Sequence, residues 1–243
     1  MSREKIPLKN WAVSLAVRRY LGLHEESDPI PWKEFYKDVL AEDVDALRYA
    51  SGKSEKRKKT IDAVLRNTPD GGKTLEAGCG TSALSIWLNS EGYQTYCIDT
   101  DAEMLEVATT LNDRAGTTVQ YERGDIFRMQ YPDNFFDVVF SHGVLEHFDI
   151  DTIPEALNEG LRVAGTYVFS LPTIFDVSNG LRGDEHLLTY WHWRNAVERS
   201  NGYVANASGS FPFHPRLDRL NDSLGDRLYA FAPVLVMEVK RKG

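Results

Sequence analysis

Apolar positions along this chain change their period once, near residue 68. Up to about residue 66 they recur at helical spacing: Trp11, Leu15 and Ala16, then Phe35, Val39 and Leu40 after Pro31, then a stripe of Ile61, Val64 and Leu65. Ser54 stands as an N-cap candidate before "EKRKKTIDAVLRN". "TPDGG" at 68–72 breaks the run. Beyond it, strands are expected at "KTLEAG", "YQTYCID", "TVQYERGD", the strongly apolar "FFDVVFSHG" and "GTYVFSLP", which Pro172 stops. Helices are expected between them at "SALSIWLNSEG", "AEMLEVATTLND" and "TIPEALNEGLRVA". That alternation implies a parallel sheet covered on both faces.

The tail departs from this rhythm. "TYWHWRNAVERSNG" reads as a helix, "YVANASGSF" as a strand, and "LYAFAPVLVMEVKRK" as a last strand in which Pro233 marks a bulge or an edge position. Two late strands with no helix between them put one antiparallel member into the sheet. The fold class is therefore α/β: a doubly wound, Rossmann-like, mostly parallel sheet of seven strands with one antiparallel strand. A helical extension at 1–66 precedes the domain at 67–243 and is short for an independent unit.

Composition narrows the partners. The length of 243 residues suits one α/β domain with an extension, and 42% hydrophobic residues suffice for a core. No apolar run approaches the roughly 20 residues of a membrane span. "MSREKIPLKN" has no apolar stretch of the secretory kind, so a leader is not expected. Two cysteines, Cys79 and Cys97, suit a reduced compartment, and a cytoplasmic location is expected. The formal charge of −8 argues against a broad nucleic-acid or membrane face. The one basic cluster, "KSEKRKK" at 53–59, reads as a solvated helix face.

The candidate chemistry starts at "LEAGCGTSAL", residues 75–84. Gly78, Gly80 and Ala83 fit a dinucleotide fingerprint, and Asp99 lies 21 residues beyond Gly78, close to the expected separation of about 20 for a ribose-binding carboxylate. Glu76 fits less well, because a carboxylate beside the loop repels a pyrophosphate and attracts an ammonium group. Asp125 in "RGD" can accept from an adenine amino group, and the fourth strand ends in the polar "SHGVLEH".

With "YCIDTDAEMLEVA", "GDIFRMQYPDNFFDVVFSHGVLEHF" and "GTYVFSLP" following in order, residues 70–172 resemble the class I S-adenosylmethionine-dependent methyltransferases of small-molecule type. The resemblance implies that Gly78 and Gly80 line the methionine part of the cofactor, with Glu76 near its ammonium. Asp99 would hold the ribose hydroxyls, Asp125 and Ile126 would meet the adenine, and Thr100 is a further cofactor-binding candidate. Ser141 and His142 would face the methyl region. Ser82 stands where the family has a third glycine, and can cap the following helix.

Methyl transfer from a sulfonium rests chiefly on positioning, and a base is needed only for a protonated acceptor. His142 and His186 are the catalytic candidates; the role of Glu146 and His147 is expected to be structural. Tyr190, Trp191 and Trp193, like Trp11, Tyr20, Trp32, Phe35 and Tyr36, are either packing residues or an aromatic wall and lid over the acceptor. Asp176, Asp184 and Glu185 show no spacing to a histidine that argues for metal, and none is expected. The expected function is methylation of an O, N or C centre of a small molecule, with no nucleic-acid or membrane partner. The alternatives are a non-catalytic S-adenosylmethionine-binding module and a protein methyltransferase. Nothing in the sequence sets the oligomeric state.

Overall fold

The computed structural model describes residues 31–41, 44–176, 184–211 and 215–243. The expected helix around Trp11, Leu15, Ala16 and Tyr20 lies outside them, as does part of the segment after the fifth strand.

In chain order the elements are α1 (Trp32–Phe35), α2 (Ala46–Lys56), α3 (Lys58–Arg66), β1 (Lys73–Ala77), α4 (Ala83–Ser90), β2 (Gln94–Asp99), α5 (Ala102–Ala115), β3 (Gln120–Arg123), β4 (Val138–His142), α6 (Ile153–Ala164), β5 (Thr166–Pro172), α7 (Tyr190–Arg199), β6 (Gly202–Ser210), α8 (Pro215–Ser223) and β7 (Val234–Arg241). The seven strands lie in the order β3-β2-β1-β4-β5-β7-β6. Strands β1 to β5 pair in parallel, and β7 runs antiparallel to both β5 and β6. One reversed strand in a seven-stranded sheet is the architecture the hydrophobic pattern predicts.

Three details differ from the sequence reading. Pro233 lies just before β7, a central strand, and its carbonyl accepts from the Thr173 N–H; the bulge sits in β6, between Val204 and Asn206. Ser54 is no N-cap. It is buried inside α2 and donates to the Ser51 carbonyl, while α3 starts after Arg57. Helix α8 was not expected at all.

The sheet is covered on both faces. Leu75, Val139, Tyr167, Phe169 and Met237 pack under Leu157, Leu161, Trp193 and Val197 of α6 and α7. On the other face Val138, Phe140 and Val168 meet Ile61, Val64, Leu84 and Leu88. Burying one such side chain contributes roughly 1.5–3 kcal/mol. Ala46 and Ala50 of α2 are buried against Cys79, Ile86 and Met104, so residues 46–66 belong to the same core as the sheet. Among the described residues no helix is long and apolar enough to cross a membrane.

Candidate active site

Parallel strands leave a crevice beyond their carboxyl ends, where the strand order reverses between β1 and β4. A cleft of about 380 Å³ opens there, within the range of small-molecule sites.

The loop after β1 forms its floor. Gly78 has φ +73°, and a Cβ there would meet both methyls of Val144 at 2.8 Å, so this position takes glycine only. The Gly78 and Cys79 N–H groups donate to the Ile98 carbonyl, tying the loop to β2. Ser82 has φ 50°, the left-handed conformation a glycine adopts freely. It makes no capping bond to α4; its Oγ sits 2.8 Å from the Tyr121 hydroxyl. The backbone therefore keeps the path of a glycine with a serine in place, held by a buried side-chain bond.

At the tip of β2, Asp99 accepts from the Gly80 N–H (2.9 Å) and the Asp101 N–H (3.0 Å), which fixes its carboxylate at the cleft. Burial raises its pKa, against the pull of those backbone donors. Glu76 is buried and accepts from the Ser85 N–H (3.2 Å). Burial pushes its carboxyl up to about 7, so a cationic group arriving beside it would draw off its proton. Asp125 is exposed at the rim and accepts from the Phe127 N–H, while the Ile126 side chain is buried below.

Glu76, Gly78, Gly80, Asp99, Thr100, Asp125, Ile126 and His142 all line the cleft. Three candidate residues do not. Ser82 is buried behind the loop. Ser141 is buried on the opposite face of β4, near the Tyr167 hydroxyl, because side chains alternate along a strand. The His186 side chain is exposed and outside the lining, although its backbone N–H donates to the Glu146 carbonyl (2.7 Å).

The cleft also contains residues the sequence reading passed over. Arg57 and Lys53 of the "KSEKRKK" run point into it, so that run is not simply a solvated face. One helical turn apart, they share the side of the chain turned toward β4. The Arg57 Nε–H donates to His142 Nε2, and His142 Nδ1 lies 2.6 Å from the Ser170 hydroxyl. Burial and then the charges of Arg57 and Lys53 hold His142 well below its ordinary pKa, so it is neutral and serves as an acceptor for Arg57. Burial, then the charge of Arg57, pulls Lys53 down to about 8.

The outer wall is aromatic: Trp32, Tyr36, Phe127, His147 and Phe148. Trp32 stacks on Tyr36 and meets the His147 ring edge-on at 5.2 Å. Of the other expected aromatic residues, Tyr190 and Trp193 are buried in packing, Trp191 is 61% exposed, and none of the three lines the cleft. Glu146, the chain neighbour of His147, is buried, its carboxyl raised to about 8 by burial and then by the charges of Glu185 and Asp184.

Residues 75–166 match the family model described as a methyltransferase domain. Over that stretch the chain is similar to methyltransferase domains. It is 29% identical over 100 residues to a phosphoethanolamine N-methyltransferase of Triticum aestivum, covering 40% of this chain and 19% of that one. It is 27% identical over 89 residues to a ribosomal protein L11 methyltransferase of Campylobacter hominis, covering 36% and 30%. The matches thus span under a third of either relative. A structure of an S-adenosylmethionine-dependent methyltransferase from Aquifex aeolicus shares the fold, with a TM-score of 0.62 at 14% identity, over 88% of this chain and 100% of that one. Family and fold indicate S-adenosylmethionine as the cofactor of this methyltransferase domain. The residues present fit such a group: a floor at Gly78 that only glycine suits, a carboxylate fixed at the tip of β2, and a buried carboxyl on which the charge of Arg57 acts.

Proposed function

We propose that this chain transfers a methyl group from S-adenosylmethionine to an O, N or C centre of a small molecule. The observation that carries the reading is the division of one cleft. One half is a polar cradle of strand-tip carboxylates, and the other is an aromatic wall of Trp32, Tyr36, His147 and Phe148. An aromatic wall of that size suits a small apolar or planar acceptor.

When bound, the cofactor supplies an electrophilic methyl on a sulfonium. Asp99 accepts from the ribose hydroxyls, held in place by Gly80 and Asp101. Asp125 and Ile126 meet the adenine. Glu76 gives up its proton and takes the ammonium, while Arg57 and Lys53 take the carboxylate. His142 is a positioning residue, since its neutral Nε2 aims the Arg57 guanidinium. The aromatic wall excludes water and orders the acceptor for an in-line displacement. The N-terminal segment, through Trp32 and Tyr36, is the acceptor-side cover.

A protein acceptor is the second reading, favoured by the name of the Campylobacter relative. A labelled-methyl screen over small-molecule and protein acceptors separates them. Turnover on small molecules supports the first reading, and label appearing only on protein overturns it. Cofactor binding with no turnover on any acceptor would leave only a binding module.

A further inference from the structure

Behind the aromatic wall, the structure brings together three metal-ligating side chains that lie far apart in sequence. His147 sits in the short turn after β4, whereas Asp184 and Glu185 follow β5. One ligand atom from each falls within 4.8 Å of the others, and all three residues are half-buried. His147 Nδ1 is 3.0 Å from Asp184 Oδ1. Two ligands of one tetrahedral ion with bonds of 2.0–2.2 Å sit about 3.4 Å apart, so small side-chain movements close the set.

A second observation points the same way. Glu146, the chain neighbour of His147, has a carboxylate oxygen (Oε2) that is buried without a hydrogen-bond partner among the described residues. A buried carboxylate oxygen left open one residue from His147 is a further donor for a cation held there.

We propose that His147, Asp184 and Glu185 form a binding site for a divalent first-row transition ion such as Mn²⁺ or Zn²⁺. One imidazole with two carboxylates is a mixed donor set that suits these ions better than the all-oxygen shells of Ca²⁺ and Mg²⁺. His147 lines the cleft and the other two ligands do not, so the ion ties the segment after β5 to the acceptor wall. The site does not depend on the methyl-transfer reading.

The test uses the full chain, stripped with chelator and titrated with Mn²⁺, free ion being followed by electron paramagnetic resonance. Competition with Zn²⁺ and Mg²⁺ ranks the ions. One saturable Mn²⁺ site is expected, displaced by Zn²⁺ more readily than by Mg²⁺, with melting temperature rising as it fills. Glu185→Gln should weaken binding at least tenfold, since even outer-sphere partners act at that level. His147→Gln is the second variant, should Glu185→Gln fail to fold. No saturable binding at millimolar Mn²⁺ overturns the proposal and leaves a His147–Asp184 ion pair only. Binding that both variants retain unchanged also overturns it, placing the ion elsewhere.

Discussion

The two halves of the cleft are built in different ways. Every carboxylate of the cofactor half sits at the tip of a parallel strand or just past it: Glu76 on β1, Asp99 on β2, Asp125 after β3. Their positions follow from the sheet, and backbone N–H groups of the adjoining loops hold them. The aromatic half is assembled from distant pieces: α1 supplies Trp32, the residue just after α1 is Tyr36, and the turn after β4 supplies His147. On the function proposed above, the cradle made from the sheet holds the cofactor and the wall made from appended segments selects the acceptor.

The largest expected effect breaks the cradle. Asp99→Ala removes the acceptor for Gly80 and Asp101 as well as the ribose contact. A charge-assisted bond is worth roughly 1.5–3 kcal/mol, so affinity for S-adenosylhomocysteine should fall by about 100-fold or more in calorimetry. A loss below about threefold would detach Asp99 from the cofactor.

Next comes pH. Glu76 and Glu146 have folded pKa values of about 7 and about 8, above the ordinary carboxylate value. At these two carboxyls the folded state therefore binds more protons than the unfolded one between about pH 4.5 and 8, and their contribution to stability without cofactor is lost as pH rises through that window. The neutral His142 acts with the opposite sign below its ordinary pKa. Cofactor affinity runs the opposite way. An ammonium wants ionised Glu76, so affinity should fall towards tenfold per pH unit below 7, and Glu76→Gln should flatten that slope. Melting curves and S-adenosylhomocysteine titrations at pH 5 to 8 check both signs; slopes of the same sign would contradict the assignment.

A wall substitution sharpens the comparison from the other side. Trp32→Ala should raise the acceptor KM several-fold and leave S-adenosylhomocysteine affinity within about threefold. Equal losses on both would mean that α1 belongs to the cradle.

The smallest effect is expected at Ser82. Ser82→Gly relieves the left-handed backbone, worth roughly 1–2 kcal/mol, and loses the bond to Tyr121, worth roughly 0.5–1.5 kcal/mol. Denaturant unfolding should therefore show a net change below about 1 kcal/mol. A loss above 2 kcal/mol would make the Tyr121 bond the feature that holds the loop.

This contrast also explains what could be read from the sequence. Strand tips and the glycine loop are local patterns, so the seven strands and the residues Glu76, Gly78, Asp99 and Asp125 were legible. Period alone does not say what a helix face meets, and "KSEKRKK" therefore looked like a solvated run although Arg57 and Lys53 turn inward. Strand alternation could have flagged Ser141, since it and His142 cannot share a face. Helix α8 was hidden because Leu217 and Leu220 stay over 40% exposed and leave no buried stripe. The grouping of His147 with Asp184 and Glu185 depends on where residues 184 and 185 lie, which no spacing records.

The central claim is that the loop after β1 holds a nucleoside with an amino-acid tail and not a pyrophosphate. Parallel calorimetric titrations of the full chain with S-adenosylhomocysteine and with NAD test it most directly. Saturable one-to-one binding of S-adenosylhomocysteine is predicted, with no detectable heat from NAD, because the Glu76 carboxyl lines the cleft beside the loop. Binding of NAD, with none of S-adenosylhomocysteine at millimolar concentration, would contradict it.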